Sequence, residues 1–397
     1  MVEFVFGAAT KKEAKPSMSS TERIPPNSCS QYSLWRPRAS ASNFKKKKKE
    51  EKKSFVVLRT NMTSSPSPSP SSSPETVCFL LDNGSVMADS VLNLRAVARK
   101  LETKLGGNPL VFPVSYLHSN RIPSEDLGGT KATVLADALT LHVGRGVAEI
   151  IILPFFFARG AVFDRIVEVV AQATRGHRVV VRYAPALVDL EEGNRIDTRV
   201  ASIIAKRVAA ATAAAAAAAT AAATATTAAA AAVATAAAVV VESTSLQSGR
   251  RRRPRVVLLD HGSPLPAMTH LRNHVAGQLA MLLSMQGLEV SGCVGASMER
   301  RPGDEFEFGE PLLENLLSRE PYNEGPVVVA MMFLSPGRHA GSGGDVEKIC
   351  RKAEEVSPRL RCFVTELVGT HDDVVDILVG NLATLTLTPQ EPGIIPF

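Results

Sequence analysis

The sequence predicts an α/β protein of two pseudo-symmetric lobes, each a parallel sheet of about four strands flanked by helices, with a cleft between them. Three observations predict this. A hexapeptide recurs, Leu80-Leu81-Asp82-Asn83-Gly84-Ser85 returning as Leu258-Leu259-Asp260-His261-Gly262-Ser263. Each copy closes an apolar run of strand length. Further apolar runs then alternate with amphipathic stretches in both halves, the pattern of a parallel sheet covered on both faces.

In the first half the runs that read as strands are 76–82, 109–117, 147–156 and 178–186. In the second they are 255–260, 288–297, 326–334 and 360–368. The expected lobes are therefore residues 75–207 and 255–386, with a short tail at 387–397. Between them lies a tract of mostly Ala and Thr, about residues 208–239. Alanine favours helix, yet the tract shows no polar face and no bulky apolar face to dock. It reads as a spacer, part helical and part frayed, within a linker spanning 208–254. A membrane span is the competing reading, weakened because Ala and Thr are only mildly apolar. Arg250, Arg251, Arg252, Arg253 and Arg255 follow, a solvated junction or else a docking or proteolytic site.

The charge is uneven. Residues 1–74 carry a net +9 within a chain of net +6, so the rest is net −3 and gives no reason to expect nucleic-acid binding. That leader holds a lysine run at 45–49 and a Ser/Pro tract at 64–74 and cannot bury enough apolar surface to order itself. It is Ser-rich, basic and free of Asp, as organelle transit peptides are, although Glu3, Glu13 and Glu22 fit that pattern less well. The leader contains no run long and apolar enough to cross a membrane. The cysteines Cys29, Cys78, Cys293, Cys350 and Cys362 form no CxxC pair, which argues against a disulfide framework or a zinc knuckle.

In an open parallel sheet, ligands bind beyond the carboxyl ends of the strands. Three polar residues of the second half fall there on consecutive strands: His261, Glu299 and His339. Two imidazoles and a carboxylate on one rim suit acid–base and metal chemistry, since imidazole is both a base near neutral pH and a ligand for first-row metals. Arg300, Arg301 and Arg338 flank these residues, and guanidinium forks suit carboxylates. Gly341, Gly343 and Gly344 precede a helix expected to start near Asp345, where backbone N–H groups favour anions. His270 and His274 stand four apart on the helix after the first turn. They read as exposed polar positions, with a metal-loading route as the other option. His371, with Asp372 and Asp373, reads as an N-terminal cap of the last helix.

The Asp-His-Gly-Ser turn, the Glu after the second strand and the segment Phe-Leu-Ser-Pro-Gly-Arg-His-Ala-Gly-Ser-Gly-Gly-Asp (333–345) together resemble the CbiX-type sirohydrochlorin ferrochelatase and cobaltochelatase family, the type II tetrapyrrole chelatases. The third segment is the most specific. The resemblance covers about 130 residues of the second half and reaches the first half only as a degenerate repeat. It implies a chelatase-like fold and an enzyme, a lyase, that inserts Fe²⁺ or Co²⁺ into a carboxylate-rich tetrapyrrole. His261 and His339 would handle metal and protons, Glu299 would be their acidic partner, and the arginines and glycines would meet the substrate. A binding protein that does not turn over is the rival from another class. No tightly bound cofactor is implied. Plant members of that family are described with a cysteine-bound iron–sulfur cluster near the C-terminus; residues 389–397 contain no Cys, so no cluster is expected here. The resemblance also places the chain in the plastid stroma ahead of mitochondrion or cytoplasm. Oligomeric state is open.

The first half departs from this pattern. Asn83 stands where the second half has His261, and no His follows Phe155, Phe156 and Phe157. His118 is the candidate to fall opposite Glu299. The first half therefore reads as a structural lobe closing one side of the cleft, with an independent domain as the alternative.

Overall fold

The structure, a computed structural model, describes residues 75–188, 197–234 and 253–387. They fall in one compact unit. The leader, the Ala/Thr tract beyond residue 234 and Arg250 to Arg252 lie outside the described residues.

The first half forms a five-stranded parallel sheet of order β3-β2-β1-β4-β5, from β1 (Thr76–Asp82), β2 (Leu110–Ser115), β3 (Thr133–Val134), β4 (Glu149–Pro154) and β5 (Val180–Tyr183). The second forms a four-stranded parallel sheet of order β7-β6-β8-β9, from β6 (Arg255–Asp260), β7 (Gly292–Ser297), β8 (Gly325–Met331) and β9 (Leu360–Val364). The two orders are the same apart from β3, a two-residue edge strand too short to show a period in sequence. Several strands end before their apolar runs do. Ala184, Ala186 and Leu187 beyond β5, and Met332 beyond β8, are buried residues past the strand ends that fill the core, Ala184 N still donating to Ile152 O and Met332 N to Leu259 O.

Strand alternation sorts the core into three bodies. Val77, Phe79 and Leu81 of β1 face α2 (Leu135–Gly144) and α3 (Ala161–Thr174) on the outside of the first sheet. Val257 and Leu259 of β6 face α6 (Leu313–Leu317) and α7 (Asp345–Val356) on the outside of the second. The other faces, Cys78 and Leu80 in one sheet and Val256 and Leu258 in the other, share one central core. That core is filled by α1 (Ala88–Lys104), α4 (Arg199–Ala234), α5 (Pro266–Met285) and α8 (Asp373–Leu387).

Two of these helices are exchanged. Helix α4 ends the first half yet packs beside α5 on β8 and β9. Helix α8 ends the second half yet packs beside α1 on β4. Asn381 of α8, 1% exposed, donates to the Pro185 and Ala186 carbonyls at 3.1 and 2.8 Å and accepts from Arg199. Arg182 of β5 donates to Leu385 O, and Gln278 of α5 donates to Asp197 O.

Helix α4 runs from the first lobe into the expected linker. It begins at Arg199, inside the span assigned to the first lobe. Val200, Ile203, Ile204 and Val208 lie on one helical face and are buried in the central core. By length and composition its segment Arg199–Ala218 is apolar enough to cross a membrane; here that apolar face covers the second sheet.

Candidate active site

The rim residues follow from the topology. In each sheet the chain leaves the central strand in opposite directions to its two neighbours, and the carboxyl end of that strand opens a crevice. His261 directly follows β6, Glu299 lies two residues past β7, and His339 lies in the loop from β8 to α7. The turn after β6 needs glycine. Gly262 has φ +94°, and a Cβ there would fall on the Glu299 carbonyl oxygen. Glu299 N donates to His261 O at 3.2 Å, so the same close approach fixes the two residues side by side. Ser263 Oγ then accepts from Leu265 N, and Pro266 opens α5.

The structure brings all three predicted residues together. The His261 and His339 rings meet edge to face with centroids 4.8 Å apart. His261 Nε2 lies 3.4 Å from Glu299 Oε1, and its Nδ1 is 3.2 Å from the Gly262 carbonyl. His339 Nδ1 lies 2.8 Å from Asp345 Oδ2. A proton on that nitrogen is accepted by the carboxylate, which leaves Nε2 with its lone pair free for a proton or a metal. Asp345 is held below the usual carboxylate range by its bond to Lys348, then by His339 and the charges of Lys348 and Arg338. Among the described residues no group of three or more His, Cys, Asp or Glu side chains gathers to enclose a metal ion. The rim is instead two imidazoles, each with its own carboxylate.

Two cavities adjoin it. A cleft of about 370 Å³ lies between the lobes, lined by His261 and Asp260 on one side and by Asp82, Asn83 and Phe155 to Phe157 on the other. The phenylalanines are both wall and core, Phe155 being 2% exposed. The second cavity, about 520 Å³, lies by the β8–α7 loop and is lined by His339, Glu347, Thr365 and Glu366. The contact between the two imidazoles links one cavity to the other.

Beneath His261 lies a buried pair that sequence reading missed. Arg272 of α5 is 1% exposed, with Nη1 3.7 Å from Asp260 Oδ1. Nη1 also donates to Ser297 Oγ and to Gly309 O. Burial pushes the Asp260 carboxyl up, opposed first by the Arg272 charge and then by Ser297. Asp345 closes the 333–345 segment, where the sequence marks a helix start and gives no sign of its bond to His339.

Other expected contacts are redirected. Arg300 Nε is engaged by Glu310 at 2.9 Å, and Nη1 donates to the Arg301 and Gly303 carbonyls, so its fork braces its own loop. Arg301 lies over the Phe306 ring. Arg338 stays exposed, 3.5 Å from Asp345. The expected anion cradle at Gly341, Gly343 and Gly344 is corrected. Gly341 N and Gly344 N donate to Gly337 O and Gly341 O, and Gly343 N donates to Glu347 Oε2 at 2.8 Å. These glycines serve a tight turn: a Cβ at Gly344 would press on three carbonyl oxygens. His274 contacts Gln278, His270 is exposed, and His371 Nδ1 accepts from Asp373 N as a cap.

In the first lobe the Glu299 position is held by Leu117, not His118. Gly84, φ +86°, approaches the Leu117 carbonyl as Gly262 approaches that of Glu299, and Leu117 N donates to Asn83 O. Neither Asn83 nor Leu117 is a base at neutral pH. Cys350 and Cys362, separate in sequence, meet across α7 and β9. The Cys362 thiol is pushed up by its bond to Cys350 and by burial.

This is a two-lobed parallel α/β protein with an imidazole pair at the rim of one lobe. No family model matches the chain, and no curated protein matches it. Solved structures similar to it include SirB from Bacillus subtilis with Fe³⁺, at 12% identity, TM-score 0.49, covering 78% of this chain and 94% of that one. The sirohydrochlorin chelatase SirB from Bacillus subtilis subspecies spizizenii with cobalt matches at 13% identity, TM-score 0.49, with coverage of 79% and 97%. CbiX, the terminal enzyme for biosynthesis of sirohaem in denitrifying bacteria, matches at 13% identity, TM-score 0.42, with coverage of 78% and 98%.

Proposed function

We propose that this chain is a tetrapyrrole metal chelatase that inserts Fe²⁺ into sirohydrochlorin, with Co²⁺ the alternative metal. The observation that carries the reading is the His261–His339 pair, 4.8 Å apart at the rim, each ring backed by a carboxylate. Metallation replaces two pyrrole N–H protons by one divalent cation. It needs displaceable metal ligands and nearby bases, and imidazole is both. Asp345 keeps His339 in one tautomer, with Nε2 presented. Glu299 offers the metal or proton a charged neighbour beside His261. The phenylalanine wall of the first lobe gives a flat macrocycle an apolar face. Iron and cobalt accept the same ligands, and the resemblance of residues 333–345 supports either. The same resemblance supports a plastid location, with residues 1–74 as the targeting leader.

The test is a steady-state assay of the purified chain with reduced sirohydrochlorin and Fe²⁺ or Co²⁺ under anaerobic conditions. Wild type is expected to turn over. His261→Ala is expected to lose roughly 100-fold or more in kcat with its thermal transition in place. Turnover within twofold of wild type in that variant rejects the reading.

A further inference from the structure

We propose that Asp82, in the lobe that lacks the histidines, is a second proton acceptor of the metallation reaction. The proposal rests on the chelatase reading above. Asp82 continues the face of β1 that carries Cys78 and Leu80, which points into the central core. At the carboxyl end of the strand that face meets the inter-lobe cleft, which Asp82 lines opposite Asp260 and His261. The residue is 7% exposed, and its Oδ1 has no hydrogen-bond partner.

Asp260, at the same position in the second lobe, also ends its strand and also has an Oδ1 without a hydrogen-bond partner, but Arg272 lies 3.7 Å from it. Arg272 stands ten residues after Gly262, and ten residues after Gly84 stands Leu94. Asp82 is thus a buried carboxyl with no cation opposite it, which is costly to keep ionised and worth a functional explanation. Burial pushes it up to about 6, opposed first by the Ser115 hydroxyl and then by the Gly84 backbone. The titratable groups that line the cleft with it are Asp260 and His261; Ser90 of α1 and Asn83 are neutral.

Insertion releases two protons, and both histidines belong to the second lobe, His261 lining the cleft and His339 in contact with it. For the second proton, a pyrrole N–H bond breaks and its electron pair is left on nitrogen to bind the metal. The proton passes to the Asp82 carboxylate directly or through one water. The resulting acid loses its proton to solvent when product leaves.

The experiment measures kcat and KM against pH for the full chain, with sirohydrochlorin and Co²⁺, for wild type, Asp82→Asn and His261→Ala. Asp82→Asn is expected to lose 10- to 100-fold in kcat with KM within threefold, and to lose from the acid limb of the profile the component near pH 6 that Asp82 supplies. A wild-type kcat and acid limb in Asp82→Asn overturn the proposal while leaving the chelatase reading intact. A wild-type chain that turns over neither metal overturns both. Should Asp82→Asn not fold, Ser115→Ala keeps the carboxyl and removes a bond that favours its ionised form. Its acid limb is expected to move up in pH, and an unmoved limb overturns the proposal.

Discussion

In the first lobe the turn after the central strand reads Asp82-Asn83-Gly84-Ser85; in the second it reads Asp260-His261-Gly262-Ser263. Both glycines sit at positive φ against a neighbouring carbonyl, and both serines cap the amide two residues on. Around these common parts the neighbours differ. His261, Glu299 and Arg272 of the second lobe correspond to Asn83, Leu117 and Leu94 of the first. The shared glycines and serines are those the backbone needs to make the turn, and both turns also keep an aspartate. The imidazole, the second carboxylate and the guanidinium stand at these positions in the second lobe only.

The comparison breaks most completely if either lobe stands alone. Residues 249–397 lack α4, so the face of β8 and β9 that Val200, Ile203, Ile204 and Val208 cover would be exposed. That fragment is expected to show no cooperative thermal transition by circular dichroism and to regain one when mixed with residues 75–234. A monomeric fragment that melts cooperatively at the temperature of the full chain would show that the exchange of helices is dispensable.

A sharper cut is Arg272→Leu, which gives the second lobe the first lobe's residue. It leaves Asp260 buried without its cation, at a cost of about 3–5 kcal/mol. Urea denaturation should show the fall at pH 7 and a smaller one at pH 4, toward which the raised Asp260 carboxyl takes up its proton. Equal losses at both pH values would mean that packing, not charge, is what Arg272 supplies.

The first lobe should answer with the opposite sign. Asp82 has its folded value raised to about 6 from 3.8, so the native state binds more protons than the unfolded chain between those values. Its contribution therefore falls as pH rises through that window and stays lost above it. Asp82→Asn is expected to stabilise the chain by about 1–3 kcal/mol at pH 8 and to have little effect at pH 4, read from denaturant midpoints. Destabilisation at pH 8 would show that the carboxylate is held by partners.

The smallest expected effect is that of Asn83→His. Leu117 offers no acid, and residues 155–160 bring no second imidazole, so metallation should stay within twofold of wild type. A clear gain would mean that the first lobe retains more of a site than its residues show.

Much of this was readable in the chain. Strands 76–82 and 255–260 were placed to the residue because each ends at a polar turn. His261, Glu299 and His339 met as expected because topology alone brings strand ends together. The exchange of α4 and α8 was not readable, since a periodic apolar face states that it is buried and not against what. The count from β2 failed by one residue, giving His118 for Leu117, because an apolar run does not mark where its ladder stops. Arg272 was hidden because arginine on an amphipathic helix reads as solvated. The one available sign was Leu94 at the same place in the repeat.

The exchange of helices also sets an order on synthesis. A ribosome finishes β4 and β5 long before it makes α8, the element that seals their inner face. Domains usually fold as they emerge, but here the first sheet waits with an apolar face open until some two hundred further residues have appeared. Contacts between residues so far apart in sequence form slowly. The nascent chain is therefore expected to carry a half-covered sheet until α8 has emerged, a state open to chaperones and proteases.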